Sequence, residues 1–151
     1  MSRLGVVGLG VVLLAATLAL SGCSSSETEK TGDLVGDVVK AYLNPANMPP
    51  RHAPPHVTGQ MRCQKLGAAL GEAIARHGEA PEATLKNVKE LKELCDRAAE
   101  AFTLSAQQGG GGAGSKWGEA MRLQQEFEAK YRALPGVEEA MKKYEETGQM
   151  P

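Results

Sequence analysis

The chain has 151 residues, with 17 Lys plus Arg against 18 Asp plus Glu and only 4% aromatic residues. That length suits one domain with a single modest core and excludes two. The near-neutral charge excludes general nucleic-acid binding, which depends on Lys and Arg neutralising phosphates.

The first element is a leader. Leu4 to Gly22 carries no charge, and Arg3 stands just before it. A basic start, an apolar middle and small residues at the cut are the order of a secretory signal. The run Leu4 to Leu20 is long for such a signal and approaches the minimum for a membrane-spanning helix. Its last residues decide between the two. Leu20-Ser21-Gly22-Cys23 resembles the lipobox of bacterial lipoproteins: an apolar residue, two small ones, then cysteine. The resemblance covers about two dozen residues. It implies that 1–22 is a cleaved signal peptide, that acyl chains such as palmitate are attached at Cys23, and that the mature chain is held in the cell envelope. Two or more acyl chains make such an attachment stable, whereas one is marginal. Ser24 stands where lipoproteins retained in the inner membrane often carry aspartate. By that analogy the address is the outer membrane, facing the periplasm, where two membranes exist.

Removal of 1–22 takes away one charge, Arg3, leaving 16 basic against 18 acidic residues. The stretch 23–32 is polar, lacks a large apolar residue and reads as a tether. The next part, 33–58, combines a short helix at Asp33 to Leu43 with a proline-rich linker. That helix carries Leu34, Val35, Val38, Val39, Tyr42 and Leu43 for docking, and five of the eight prolines follow it.

The main helical domain is expected over 59–148. Thr58 is placed to cap a helix from Gly59 to His77, with Met61, Cys63, Leu66, Leu70, Ala73 and Ile74 inward. Gly78 can end it. Pro81 suits the first turn of a second helix, which continues to about Gln107 with Val88, Leu91, Cys95, Ala98 and Phe102 inward. Folding the two helices back about Glu79 sets Cys63 level with Cys95, Gly67 with Leu91 and Leu70 with Val88. In an exported protein this predicts a Cys63–Cys95 disulfide, worth roughly 3–4 kcal/mol by the loop-entropy relation.

Gly109 to Ser115 is a flexible break. Its order, Gly114-Ser115-Lys116, fails the phosphate-loop pattern, and a helix precedes it. Ser115 caps a third helix, Lys116 to Ala133, with Trp117, Ala120, Leu123, Phe127, Tyr131 and Leu134 on one side. Leu134-Pro135-Gly136 breaks the chain before a last helix, Val137 to Thr147, with Val137, Met141 and Tyr144 inward.

These elements predict an all-α fold: a small disulfide-clipped helical bundle of three to four main helices after the signal peptide. Catalytic signatures are lacking. Ser105 and Ser115 have no GxSxG context, there is no CxxCH, and the carboxylates interleave with lysines as on a solvated face. No cofactor is expected, nor a metal, since His52 and His56 diverge across an extended Ala-Pro-Pro and His77 suits a helix-end contact. The expected role is therefore binding or scaffolding of an envelope protein, with Trp117, Phe127 and Tyr131 as a candidate partner surface. The other class is a small-ligand- or metal-binding module, or an enzyme of unrecognised chemistry, with His52, His56, Arg62 and Trp117 lining a pocket under the proline-rich segment.

Overall fold

A computed structural model describes residues 21–108 and 115–151. The leader 1–20, including Leu20 of the lipobox-like motif, and Gly109 to Gly114 of the glycine-rich break lie outside the described residues. The fold is all-α: α1 (Ser21–Leu43), a 3-10 turn (Pro45–Asn47), α2 (Pro55–Arg76), α3 (Glu82–Gln108), α4 (Lys116–Ala133) and α5 (Val137–Thr147), with no strand among the described residues.

Three helices have the expected inner stripes. Cys63, Leu66, Leu70 and Ala73 of α2, Val88, Leu91, Cys95, Ala98 and Phe102 of α3, and Ala120, Leu123, Phe127 and Tyr131 of α4 are all buried. Ser115 accepts a hydrogen bond from the Gly118 amide at 3.3 Å, satisfying one of the donors that a helix start leaves free. Gly136, at φ 91°, turns the chain from α4 into α5; a side chain there would be strained.

Two expectations change. Residues 24–32, read as a polar tether before a helix at Asp33, continue α1, which runs unbroken to Leu43. Leu34, Val35, Val38 and Val39 are buried, so docking of this stripe supplies a helical nucleus, and Glu and Lys propagate it upstream at little cost. Ser26 to Glu29 remain exposed, and Lys30 reaches Glu79 of the α2–α3 turn at 3.3 Å. Secondly, α2 starts at Pro55, not Gly59. Proline fits a first turn because its missing N–H would have no partner there. Thr58 is therefore no cap; its hydroxyl donates to the Ala53 carbonyl at 3.1 Å.

The α2–α3 pairing is antiparallel, but its contacts run about one turn further along α3 than level positions suggest. Gly67 faces Cys95 and Asp96 instead of Leu91, and Gly59 receives the Phe102 ring. Side chains leaning toward their own N-terminus account for about one position of this offset, and the rest is the register in which Gly59, Gly67 and Gly71 seat Phe102, Cys95 and Lys92. A Cβ on Gly67 would lie 3.4 Å from the Cys95 Cβ and 2.7 Å from Asp96 Oδ1; one on Gly59 would enter the Phe102 ring.

This packing yields a contrast. Gly59→Ala is expected to cost about 1–3 kcal/mol through overpacking. Gly32→Ala, with nothing within 4 Å of the added carbon, should stabilise by about 0.5–1 kcal/mol through helix propensity. Urea unfolding of the two variants checks both signs.

Candidate functional site

Where α1, α2 and α4 meet, five side chains assemble that sequence spacing did not connect. Tyr42 ends α1, Arg62 lies on α2, and Phe127, Glu128 and Tyr131 share one face of α4 at helical spacing. The Tyr42 ring stacks on Tyr131 with centroids 4.1 Å apart and planes 17° apart. Phe127 extends the stack, 6.1 Å from Tyr131. At the edge, the Tyr42 hydroxyl donates to both Glu128 carboxylate oxygens, at 3.0 and 2.8 Å. The Arg62 guanidinium lies 5.3 Å over the Tyr42 ring, and its Nη2 is 3.7 Å from Glu128 Oε1. Burial, then the bond to Glu128 and its charge, push the Tyr42 phenol above its ordinary pKa. It therefore remains a donor at neutral pH. Chemically the group joins three helices by satisfying its own polar atoms.

Beneath it lie the two cysteines. Cys63 and Cys95 line a cavity of about 10 Å³ with Leu66, Leu94 and Ala98, roughly the smallest volume that holds one water. The expected bridge is not made here: both are free, buried thiols. The Cys95 Cβ packs against Gly67, one turn along α2 from Cys63. Burial pushes the Cys63 thiol up to about 11. Burial raises Cys95 as well, with Cys63 and Asp96 adding to the effect. Thiols held this way are poor nucleophiles.

A second polar cluster fastens α1 to the end of α2. Arg76 Nη1 donates to Asp37 Oδ2 at 2.6 Å, and His77 Nε2 stands 2.8 Å from the same oxygen. Burial raises the Asp37 pKa, but hydrogen bonds from His77 and Arg76 and their charges outweigh it, so the carboxyl lies below its ordinary value. His77 therefore turns to Asp37 and not to the last carbonyls of its own helix. Beside this cluster, a groove of about 500 Å³ runs between α1, the 3-10 turn and α2. Its cations are engaged: Lys65 donates to the Ala46 carbonyl at 2.9 Å, and Lys40 is 3.6 Å from Asp37.

The candidate partner surface of Trp117, Phe127 and Tyr131 is corrected. Phe127 and Tyr131 are 5% and 1% exposed and belong to the core, because the stripe that makes α4 amphipathic is the stripe it buries. Trp117 is half-buried, edge-on to Phe102 at 5.5 Å and 70°. Nor does a pocket join His52, His56, Arg62 and Trp117: His52 is exposed, Arg62 is on the Tyr42 cluster, and Trp117 lies on Phe102. Cys23 falls in the first turn of α1. Among the described residues, no group of three His, Cys, Asp or Glu side chains could hold a metal ion, and no helix is long and apolar enough to cross a membrane.

No family model, no curated protein and no solved structure matches the chain.

The depressed Asp37 pKa gives a signed pH dependence. Its contribution is fully present above the unfolded carboxyl value near 3.8 and is lost as pH falls through the lower folded value. Asp37→Asn should therefore cost roughly 1 kcal/mol at pH 7, and the gap from the parent should close in acid. Thermal unfolding from pH 7 down to 2 measures it.

Proposed function

We propose that this protein is a membrane-anchored lipoprotein whose helical bundle binds or scaffolds another protein of the cell envelope, without catalysing a reaction. The observation that carries this reading is Leu20-Ser21-Gly22-Cys23 at the end of an uncharged run behind Arg3. Acyl chains on Cys23 hold the chain to the membrane, and the outer membrane, facing the periplasm, is the address in a two-membrane envelope. What further supports it is the path of α1. The helix runs past the α2–α3 turn, where Lys30 reaches Glu79, with Ser26 to Glu29 exposed. The larger polar clusters join helices to one another, which suits a module working through its outer surface.

In an oxidising compartment, Cys63 and Cys95 close into a bridge. Their placement on facing helices around one small cavity supports this.

Two measurements follow. Cells fed a labelled fatty acid should place label on the parent chain and none on Cys23→Ser, whose mass retains the leader; a parent chain that starts at Met1 and carries no label sinks the anchor. Alkylation of the exported, denatured chain should reach neither Cys63 nor Cys95 before reduction and both afterwards. Immediate alkylation of both excludes the bridge. Where it forms, Cys63→Ala with Cys95→Ala should cost about 2–5 kcal/mol.

A further inference from the structure

The net charge hides a separation that only the fold makes visible. Arg62, Cys95 and Gln124 line one cavity and so mark a common level across α2, α3 and α4. On one side of it lie 44–62, 95–108 and 115–124, which contain five Lys and Arg against three Asp and Glu. The remaining described residues from 26 onward contain eleven against fifteen. From Leu43 to Gly71 there is no acidic residue at all, while Arg51, Arg62 and Lys65 fall within that span. One end of the molecule is thus basic and the other acidic.

The direction of α1 orients this dipole. Lys30 reaches Glu79 where α2 gives way to α3, so the helix leaves through the acidic end, among Glu27, Glu29, Asp33 and Glu82. If Cys23 carries the lipid, as proposed above, the acidic end faces the membrane and the basic end points away. Anionic headgroups repel such an end, and the field of the far end draws negative charge toward it.

At the far end the 3-10 turn and the loop after it present Met48, which is 42% exposed and one of two exposed large hydrophobic residues among those described. Pro50, Arg51, His52, Pro54 and Pro55 beside it are also exposed. The Asn44 side chain accepts from the Ala46 amide at 2.9 Å, the Asn47 side chain donates to the Ala41 carbonyl at 2.7 Å, and the Ala53 amide donates to the Pro50 carbonyl at 3.1 Å. With its prolines, the loop is held in shape and loses little entropy when it is covered.

We propose that the Met48 to Pro55 loop is the docking surface for an acidic segment of a protein partner, whose carboxylates meet Arg51 and whose apolar side chains cover Met48 and the prolines. This rests on the anchor only for its orientation. The charge complementarity is a property of the folded chain.

Photo-crosslinking in intact cells tests it on the full chain. A photoreactive residue replacing Met48 is expected to capture a protein through a segment rich in Asp and Glu, while the same residue replacing Ala83, exposed at the acidic end, captures none. Arg51→Glu, with unchanged helical circular dichroism, should lower capture at position 48 by about fivefold or more. Equal capture at both positions, capture through a segment without acidic residues, capture of a glycan or lipid, indifference to Arg51→Glu, or no capture at position 48 each overturns the proposal. Fatty-acid labelling of the same chains separates the two readings. A labelled chain that fails at position 48 removes the docking surface alone, and an unlabelled chain removes the anchor whatever position 48 captures.

Discussion

The close approach of α2 and α3 is the constraint on which the rest of the molecule depends. Gly59, Gly67 and Gly71 lie along one ridge of α2, and opposite them stand Phe102, Cys95 and Lys92. Without side chains on that ridge, the facing helix settles near the backbone, and Phe102 enters a notch that no other residue would leave open. On its other side α3 receives α4. Trp117 then meets Phe102 at one end, and Lys130 reaches Glu90 at 2.8 Å toward the other. Leu91, Val88 and Leu70, all 1% exposed or less, fill the seam between them.

On this three-helix platform α1 is an added layer, and its fastening is chemically mixed. Its apolar stripe provides most of the attraction, since each fully buried Leu or Val is worth about 1.5–3 kcal/mol. Direction and register come from polar contacts at each end of the docked part: Asp37 with Arg76 and His77, Tyr42 with Glu128 and Arg62. Such bonds add little net energy when made but cost more when one partner is missing, so they discriminate against a shifted register. A helix held in this way transmits its own direction to whatever lies upstream of it. A segment composed like a flexible tether thereby becomes a stiff continuation of the core.

Stiffness bears on the proposed anchoring at Cys23. A random-coil linker would let every face of the domain meet the membrane and the surrounding medium alike. A helical one presents a chosen end, and here the two ends differ in sign of charge. The direction of the helix upstream is thus a consequence of one packing event, the burial of Leu34, Val35, Val38 and Val39.

The chain itself determined the helical class, the bounds of α4 and α5, the Ser115 cap and thirteen of the nineteen buried positions in α2, α3 and α4. Those features follow from periodicity and caps, which act over one or two turns and can be read locally. Local composition also misled, for 24–32 taken alone is polar and uncommitted, and its helix exists because a neighbouring stripe is docked. Only the tertiary structure decided that, together with the one-turn offset of the α2–α3 contacts and the meeting of Tyr42 with Arg62 and Glu128. Each depends on the direction in which side chains lean and on residues as many as 86 positions apart, and spacing along a chain holds no record of such distances until the helices are packed.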